Sequence, residues 1–511
     1  MYKELLKTVT NLGSPKILII GDFMLDVYVY GDALRISPEA PVPVLKVCRT
    51  EYSCGGASSV AADLAALGAV PYCVGIIGND SDGNILKEKL IKSGADITGL
   101  FTVSNRPTIS KQRLIGLAQH RHPQQLMRID EEHTEPMDSE MSEAILQAYK
   151  DRLKQADIVC LQDYNKGLIT LSLCRQLIKL ASQANKKVIV DPSLTSDYSK
   201  YAGATVITPN RKEASTAVNF EIKTTKDAAK AADKLIDEFK FKAVVITLDK
   251  EGAYLKTETE SQTIPTRPRS VYDVSGAGDM VLATIAVALA ADCDYTTAVQ
   301  LANIAGGIEV EKFGTTTVSI EEIINEIISQ NRDKSSKFHE LDSLLQELTW
   351  HRKQKKTIVF TNGCFDVIHR GHIELLKFCK SQGDIVILGL NSDSSVKIIK
   401  GPDRPVNNQD DRSAVLAALE TIDYVILFDE PDPLNLINEV KPDVLVKGQD
   451  WQDKGVVGSE FVESYGGKIV FAPLIEGKSS TETVEKMKVL GIKPDRRKKR
   501  SLIQSEQSEA T

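Results

Sequence analysis

The sequence lacks the features that mark several large classes of protein. Its 8 cysteines include no Cys-x-x-Cys pair and no zinc-ligand spacing, which favours reduced thiols over a metal or disulfide scaffold. It has no apolar run long enough to cross a membrane, and the charged N-terminus, Met1 to Lys7, lacks the apolar core of a signal peptide. The net charge of -7, from 63 basic against 70 acidic residues, argues against a general nucleic-acid binder. We therefore expect a cytoplasmic protein with no nucleic-acid and no membrane partner.

Strand-like and helix-like segments alternate along the 511 residues, which are too many for one hydrophobic core. Short apolar runs separated by amphipathic stretches predict parallel sheets with helices on their faces, an α/β fold. The polar segment 329–337 is the expected linker between a domain at 1–328 and a second domain at 338–490. The tail at 491–511 carries a basic run, and we expect it to be solvated and disordered.

The segment from Thr361 to His372, Thr-Asn-Gly-Cys-Phe-Asp-Val-Ile-His-Arg-Gly-His, is the most informative stretch. It follows a strand-like run and precedes a helix-like run, and a strand that turns through Gly363 into a helix is a usual place to bind phosphate. His369 and His372, at i and i+3, can point one way from the first helical turn. Imidazolium groups there could hold charge on a phosphoryl group in transfer. The nearby glycine makes a metal pair or a chance core pair a poorer interpretation.

A second phosphate-binding pattern, Gly276-Ala277-Gly278-Asp279, precedes an Ala-rich helical run. The two glycines let backbone amides approach an anion, and the helix N-terminus adds partial positive charge. Asp279 would act as a general base that takes a proton from a hydroxyl as its oxygen attacks a γ-phosphate. The alternative is a tight turn with Asp279 as a helix cap.

Other pieces of the first half fit the same chemistry. Asn210 and Glu213, at i and i+3 on a helix start, could order Mg²⁺ and its waters near ATP phosphates. An acidic pair after the first strand and a double glycine before a small-residue helix suit close contact with a sugar, although a cap explains either acid equally well. These four residues are Asp22, Asp26, Gly55 and Gly56.

Taken together, residues 10–320 resemble the ribokinase-like (pfkB-type) carbohydrate kinases, through the double glycine, the Asn-x-x-Glu pair and the Gly-Ala-Gly-Asp motif in that order. The resemblance implies an α/β sandwich with a small β lid. It implies that Asp279 is the base, and that the amides of Gly276, Ala277 and Gly278 stabilise the transferring phosphoryl group. Mg²⁺ would be held through water or phosphate by Asn210 and Glu213. The residues implied to serve ATP are Asn210, Arg211, Lys212 and Glu213.

The motif from Thr361 to His372 is similar to the signature of the cytidylyltransferase-like nucleotidyltransferases, which implies a Rossmann-like domain. In that family a phosphate oxygen of the substrate attacks the α-phosphorus of a nucleoside triphosphate, and pyrophosphate leaves. The resemblance assigns stabilisation of the transition state to His369, His372 and Lys400. The residues expected to bind the nucleotide are Thr361, Asn362, Gly363, Phe365, Arg404, Arg412, Ser479, Ser480 and Thr481.

The order of the two domains resembles the bifunctional heptose 7-phosphate kinase / heptose 1-phosphate adenylyltransferases of lipopolysaccharide core synthesis. The resemblance implies ATP-dependent phosphorylation of heptose 7-phosphate at O1. It also implies adenylyl transfer from ATP to heptose 1-phosphate, giving ADP-heptose and pyrophosphate. Lys111, Arg113 and Arg128 would meet the 7-phosphate, and a homodimer through the kinase domain is expected. The segments that carry this likeness are Arg35 to Val44, Thr108 to Arg113, Arg128 to Asp130, Tyr272 to Asp279, Lys400 to Val406 and Leu445 to Asp450.

The chain departs from the pattern of that family in three places. Ser193 follows Asp-Pro where a lysine is common, Met280 follows the aspartate where a small polar residue is usual, and the late motif reads Lys-Ser-Ser-Thr from Lys478 to Thr481. These departures bear on ATP contacts more than on reaction type. The alternative is a fused sugar kinase and nucleotidyltransferase that acts on another sugar phosphate or nucleotide. A non-catalytic sensor is disfavoured because the catalytic positions are all present.

Overall fold

The structure, a computed structural model, describes residues 2–118, 121–267, 275–312, 314, 316–334, 337–339 and 341–473. The chain divides into two compact units, Met1–Ile327 and Ile328–Thr511. Three expected nucleotide ligands, Ser479, Ser480 and Thr481, lie outside the described residues, as does the basic tail at 491–511. Within the described ranges, no helix has both the length and the apolar character needed to span a membrane.

The first unit alternates helices and strands as the sequence predicts. Its elements are α1 (Tyr2–Thr10), β1 (Lys16–Gly21), β2 (Phe23–Ile36), β3 (Pro43–Gly56), α2 (Ala57–Ala66), β4 (Val70–Gly78), α3 (Ser81–Ser93), β5 (Asp96–Val103), β6 (Ile109–Ala118), β7 (Arg121–Glu131), α4 (Ser139–Leu153), β8 (Ile158–Gln162), α5 (Leu171–Gln183), β9 (Lys187–Asp191), β10 (Val206–Ile207), α6 (Arg211–Val218), α7 (Thr225–Phe239), β11 (Ala243–Thr247), β12 (Ala253–Thr257), β13 (Ser261–Ile264), α8 (Ala277–Ala290), α9 (Tyr295–Glu309) and α10 (Ile320–Lys334).

In the described part of this unit, the main sheet has nine strands in the order β13-β12-β11-β10-β9-β8-β1-β4-β5. The strands from β11 to β5 run parallel, and β12 and β13 are antiparallel at one edge. The apolar runs of β1 and β8 are buried along their length, as expected for strands covered on both faces. From β1 the chain proceeds to β4 on one side and later to β8 on the other. The switch point therefore lies between β1 and β8, where sheets of this kind bind ligands.

A smaller sheet, called the lid below, contains β3-β2-β6-β7 in that order within the described residues. β2 pairs parallel with β6 and antiparallel with β3, and β6 pairs antiparallel with β7. Asp26 is the direct neighbour of Lys111, and Tyr28 is the direct neighbour of Arg113. Because alternate residues of a strand face the same side, these four side chains share one face of the lid. The small β lid and the α/β sandwich expected from the sequence are both confirmed.

The second unit is a parallel α/β fold. Its elements are β14 (Phe338–His339), α11 (Leu341–Lys353), β15 (Ile358–Gly363), α12 (Arg370–Gln382), β16 (Ile385–Asn391), α13 (Asp393–Lys400), α14 (Gln409–Ala417), β17 (Tyr424–Phe428), α15 (Leu434–Val440), β18 (Val444–Gly448), α16 (Ser459–Ser464) and β19 (Lys468–Ala472).

The described strands of this unit form one sheet in the order β14-β17-β16-β15-β18-β19, with all pairs parallel. From β15 the chain proceeds to β16 and β17 on one side, then crosses to β18 and β19 on the other. This is the doubly wound order of a Rossmann-like domain, with its switch point between β15 and β18. The Rossmann-like prediction is confirmed.

The segment expected to be a linker is largely helical. Helix α10 continues to Lys334, through most of 329–337. Residues 329–334 contain neither glycine nor proline, the residues that most disfavour a helix interior. Polarity alone therefore did not end the helix, and the assignment of 329–337 as the linker stays a prediction.

Candidate active sites

Asp279 lies in the first turn of α8 and is 4% exposed. Its Oδ1 accepts hydrogen bonds from Gln162 Nε2 at 2.8 Å and from the Tyr164 hydroxyl at 3.2 Å. Burial raises the pKa of this carboxyl to about 7, and the bond from Tyr164 opposes the rise. Its partners belong to β8 and the loop after it, which favours a catalytic base over a helix cap.

The turn that precedes Asp279 has the form of an anion site. Gly276 adopts a φ of 95°, in the left-handed region that side chains disfavour. A Cβ added at Gly278 would meet no atom within 4 Å, so open space borders the backbone there. Gly276, Ala277 and Gly278 thus place the N-terminal amides of a 14-residue helix beside open space, next to a carboxyl that can accept a proton.

Asp26 and Lys111 meet Asp279 from the lid. Burial lowers the pKa of Lys111, and the charges of Asp26 and Asp279 both act on its ammonium. The Nζ of Lys111 also lies 4.6 Å from the ring centroid of Tyr164. Asp26 Oδ1 forms an ion pair of 2.8 Å with Nη1 of Arg113. The structure therefore gathers two cations and two carboxyls that the sequence predicts for the sugar phosphate site.

Gly55 and Gly56 end β3 against the strand that carries Asp26. A Cβ at Gly55 would come within 3.0 Å of Asp26 Cγ. Gly56 has a φ of 53°, and its Cβ would lie 2.7 Å from the backbone oxygen of Asp22. The absence of side chains at both positions is what allows β3 to approach the two aspartates.

Two residues expected at the sugar phosphate have partners within the protein instead. Asp22 is 2% exposed, and its Oδ2 accepts the backbone N–H groups of Tyr164 at 2.9 Å and Lys166 at 3.1 Å. Asp22 therefore positions the loop after β8, because it follows β1 directly at the switch point. Arg128 forms a two-point ion pair with Asp130 of its own strand, at 2.8 and 2.9 Å. Asp22 is closed off by these partners, whereas Arg128 stays half-exposed near Lys111, and its predicted contact with the 7-phosphate stays a prediction.

On the expected ATP side, Asn210 and Glu213 form a capping box at the start of α6. Asn210 Oδ1 accepts the backbone N–H groups of Lys212 and Glu213 at 3.0 Å, and Glu213 Oε2 accepts that of Asn210 at 2.8 Å. Burial raises the pKa of Glu213, and its charge raises that of Asp191. The pair therefore orders the helix start and leaves Glu213 near the half-buried carboxyl of Asp191.

The side chain of Arg211, which was predicted to bind ATP, has its partners within the protein. Its guanidinium donates to Asp249 Oδ2 at 2.9 Å and to the backbone oxygens of Ile222 and Leu248 at 3.2 and 3.1 Å. Arg211 holds α6 to neighbouring loops, because its side chain leaves the first helical turn toward them. Lys212 is exposed on the same helix.

Two residues that depart from the family pattern, Ser193 and Met280, fit into the interior of the first unit. The Ser193 hydroxyl lies 3.1 Å from that of Tyr201, which donates to Asp163 Oδ2 at 2.7 Å. Lys200 Nζ lies 2.5 Å from the same Asp163 oxygen. Met280 is fully buried in α8. Both replacements are therefore accommodated inside the fold.

Sequence reasoning missed three residues of this site, Gln162, Tyr164 and Asp191. Gln162 and Asp191 are register partners that end β8 and β9. The available signal was the polar residue that closes an otherwise apolar strand, Ile-Val-Cys-Leu-Gln, at the switch point. That signal identifies a position but not the partner of the side chain.

In the second unit, His369 and His372 begin α12 with their rings stacked at a centroid distance of 3.9 Å. The Nδ1 of His372 accepts the backbone N–H of His369 at 3.4 Å. Burial, together with the charges of His369 and Lys400, lowers the pKa of His372 to about 3. The ring of His372 is therefore neutral and carries its proton on Nε2, which corrects the expectation of an imidazolium at this position.

Phe365 and Asn362 position this pair and the edge of the sheet. The Phe365 ring lies 4.8 Å from the His372 ring, and its φ of 42° is left-handed. Gly363 permits that conformation, because a Cβ there would come within 3.0 Å of the Phe365 ring. Asn362 accepts a hydrogen bond from Nζ of Lys447, a residue of β18 that sequence reasoning did not assign to the site.

Two of the expected nucleotide ligands are buried. Arg412 is 2% exposed and donates to the backbone oxygens of Cys364, Asn391 and Asn407 at 2.6, 2.8 and 3.1 Å. Thr361 is fully buried inside β15. Arg412 therefore holds strand ends together, and nucleotide contact through Arg412 or Thr361 stays a prediction.

Arg404 has a mixed environment. Its Nε donates to Asp366 Oδ2, and its Nη2 is buried with no hydrogen-bond partner in the described residues. The carboxyl of Asp366 also accepts the backbone N–H of Val406 at 2.6 Å. Arg404 therefore retains one donor that a phosphate oxygen could satisfy.

Comparisons with known proteins agree with both sites. Residues 14–323 match the pfkB family carbohydrate kinases, and residues 360–471 match the cytidylyltransferase-like family. The bifunctional protein HldE of Geobacter metallireducens is 42% identical over 92% of this chain and 95% of its own. That of Geobacter sulfurreducens is 42% identical over 93% and 96%.

A solved structure shows the kinase fold independently. The tetrameric inhibited form of phosphofructokinase-2 from Escherichia coli covers 62% of this chain and 100% of its own, with a TM-score of 0.52 and 20% identity. The predicted combination of a carbohydrate kinase with a nucleotidyltransferase is confirmed. The chain belongs to the family of bifunctional HldE proteins, in which a pfkB family carbohydrate kinase unit precedes a cytidylyltransferase-like unit.

Proposed function

We propose that the first unit phosphorylates heptose 7-phosphate at O1, and that the second unit transfers AMP from ATP to heptose 1-phosphate. A separate phosphatase would remove the 7-phosphate between the two steps. The observation that carries the kinase assignment is the carboxyl of Asp279, held by Gln162 and Tyr164 beside the helix turn at Gly276. The lid cations Lys111 and Arg113 support a sugar that carries a phosphate.

In the kinase step, Asp279 takes the proton of the O1 hydroxyl while that oxygen attacks the γ-phosphorus of ATP. The bond from the γ-phosphorus to the leaving ADP oxygen breaks as the new O1–P bond forms. The amides of the turn from Gly276 to Gly278 stabilise the charge on the transferred group. A base whose pKa is close to neutral pH suits this proton transfer.

The residues near Glu213 are compatible with Mg²⁺ held through water and the ATP phosphates. Within the described residues, no group of three or more His, Cys, Asp or Glu side chains could hold a metal ion. Glu213 and Asp191 are nevertheless two half-buried carboxyls whose charges repel each other, a pair that a nearby cation would stabilise. Mg²⁺ would neutralise phosphate charge there.

In the adenylyl step, an oxygen of the sugar 1-phosphate attacks the α-phosphorus of ATP, and the bond to pyrophosphate breaks. His372, neutral with its proton on Nε2, donates a hydrogen bond, and His369 stacks against it. Lys400 lies close enough to lower the pKa of His372, and so supplies positive charge to the same place. These groups stabilise a crowded, negative transition state without a covalent enzyme intermediate.

We also propose a homodimer through the outer face of the lid. Tyr52, Met127 and Ile129 are 37%, 57% and 47% exposed. Register places Tyr52 and Ile129 in one row and Met127 in the next row on the same face. Exposed apolar side chains that share one face are typical of interaction surfaces. The solution mass of the protein and of Met127→Glu tests this; a wild-type monomer would rule it out.

The function is tested by product analysis with heptose 7-phosphate, heptose 1-phosphate and ATP. Fructose and ribose phosphates serve as alternative acceptors, and CTP serves as an alternative donor. We expect heptose 1,7-bisphosphate and ADP-heptose as the preferred products. His369→Ala should abolish adenylyl transfer and leave kinase turnover intact. Preference for another sugar phosphate or for CTP would refute the assignment of substrate and retain the family.

A further inference from the structure

Gln162 is a buried amide at the end of the central strand β8. It is 1% exposed and follows four buried apolar residues. Burial of an amide is costly unless its polar atoms are hydrogen-bonded, and the Oε1 of Gln162 has no hydrogen-bond partner within the described residues. Its Nε2 donates to Asp191 Oδ2 at 2.8 Å and to Asp279 Oδ1 at 2.8 Å. Both N–H bonds of one side chain are therefore committed to two carboxyls from different elements, β9 and α8.

The placement of Gln162 follows from the sheet. Gln162 is the register partner of Gly21 on one side and of Asp191 on the other. It therefore ends its strand at the switch point between β1 and β8, beside the last residue of β9. From this position the side-chain amide of a glutamine is long enough to contact both Asp191 on the neighbouring strand and Asp279 on α8.

An amide between the buried carboxyl of Asp279 and the half-buried carboxyl of Asp191 has a specific electrostatic consequence. Asp191 and Asp279 are like charges that repel each other, and the positive end of the amide dipole separates them. The donated bond also favours the charged form of Asp279 and fixes the direction of Oδ1. Tyr164 donates to the same oxygen, and Lys111 and Asp26 act on the carboxyl from the lid. An aliphatic side chain would fill the volume but do neither of these things.

The bridge also connects the two sides of the kinase site. Asp191 accepts a hydrogen bond from Thr208 Oγ1 at 3.3 Å and experiences the charge of Glu213 at the start of α6. Gln162 is thus the middle member of a short hydrogen-bonded chain that runs from the expected ATP side to the carboxyl beside the turn at Gly276.

We propose that Gln162 is a positioning residue of the kinase reaction, which orients Asp279 and holds it apart from Asp191. The proposal rests on the proposed role of Asp279 as the base. It assigns to Gln162 no contact with substrate. Its effect is expected in turnover and in the pH profile rather than in sugar binding.

The test compares Gln162→Leu, Gln162→Glu and Asp279→Asn with the exposed control Gln176→Leu. For Gln162→Leu we expect kinase kcat to fall by ~10- to 100-fold, as for a misplaced catalytic group, with the KM for the sugar phosphate within about threefold. The acidic limb of kcat/KM should move to higher pH, because the bond to the ionised base is lost. Gln162→Glu has nearly the same shape but adds a negative charge beside Asp279. The acidic limb of its kcat/KM profile should therefore move to still higher pH than that of Gln162→Leu. Adenylyl transfer, measured in the same samples, should not change, and Gln176→Leu should match the wild type.

The outcomes separate this proposal from the one on which it rests. If Asp279→Asn keeps kinase turnover, the base assignment itself is wrong. If Asp279→Asn is inactive while Gln162→Leu and Gln162→Glu keep the wild-type kcat and pH profile, only the role of Gln162 is refuted. If kcat of Gln162→Leu falls in step with its melting temperature while the acidic limb stays in place, Gln162 is a packing residue and the proposal also fails.

Discussion

Lys447 of β18 donates a hydrogen bond to Asn362 of β15 across the switch point of the second sheet. Its ammonium also lies 5.3 Å from the ring centroid of Trp451. Burial lowers the pKa of Lys447 to about 8, and the charge of Asp450 opposes the decrease. The residue is therefore still largely a cation at neutral pH, at the place where a doubly wound sheet binds its nucleotide.

Adenylyl transfer should lose activity as the pH rises through about 8, because Lys447 then loses its charge. Lys447→Met should lower kcat/KM by ~10- to 100-fold at pH 7, the scale of one lost electrostatic contact. Lys447→Arg stays charged and should flatten the decline above pH 8. Rates between pH 6 and 10 give the comparison, with exposed Lys377→Met as the matched control. An unchanged profile in Lys447→Met would show that this lysine has no part in the reaction.

Kinase kcat/KM should fall about tenfold per pH unit below about 7, because the base Asp279 must be ionised to take a proton. Asp279→Asn should lower kinase turnover by ~10²- to 10⁴-fold and leave adenylyl transfer intact. The exposed residue Asp151 provides the control Asp151→Asn, which should behave as wild type. Loss of both activities in a folded Asp279→Asn protein would contradict two independent sites.

Asp22→Asn should stabilise the first unit at pH 8 and change little at pH 4. Burial, followed by the charge of Asp163, raises the folded-state pKa of Asp22 to about 7 from an ordinary value of 3.8. The folded state therefore favours the protonated carboxyl, and the wild type loses stability as the pH rises from about 4 to about 7. Asparagine can still accept both backbone N–H groups. Urea unfolding at the two pH values should show a gain of roughly 1–3 kcal/mol at pH 8 only.

The same variant separates two roles for Asp22. If Asp22 only positions the loop after β8, the KM for the sugar phosphate should stay within about twofold of wild type, since uniform binding is untouched. Asp26→Asn, at the lid site, should instead raise that KM. A large increase of the KM for the sugar phosphate in Asp22→Asn would instead support the contact between Asp22 and the sugar that the sequence predicted.

Arg412→Met should destabilise the second unit by roughly 2–5 kcal/mol, because it leaves several buried carbonyl oxygens and Asp393 without their donor. Its thermal transition should move to lower temperature while kinase activity persists. At a temperature where the variant remains folded, the KM for ATP should be near that of the wild type. Calorimetry with Lys377→Met as control measures this; a stable variant with a raised KM would place Arg412 at the nucleotide.

Local sequence patterns predicted much of each site. The glycine turns at Gly276, which opens α8, and at Gly363, which ends β15, were readable because glycine beside a helix start allows backbone conformations that side chains disfavour. The histidine pair was readable because residues at i and i+3 lie on one helical face. The sequence did not predict that burial would make His372 neutral, because a pKa depends on groups brought close by folding.

The assignment of cations was the least predictable part. The sequence shows only that four positions carry basic side chains, and the fold decides which group each one contacts. These residues are Lys111, Arg211, Arg404 and Arg412. Arg211 and Arg412 donate to partners within the protein, whereas Lys111 lies on the lid and its ammonium interacts with Asp279 of α8.

The sequence by itself determined the α/β class and the two-unit order, because these depend on periodicity along the chain, and its motifs carried the resemblance to the family. The tertiary structure decided which polar residues lie together. Parallel strands bring their carboxyl ends to one edge whatever their separation in sequence, so Lys447 meets Asn362 over 85 positions. The first turn of α8 lies at the carboxyl end of β8, so Gln162 meets Asp279 over 117 positions.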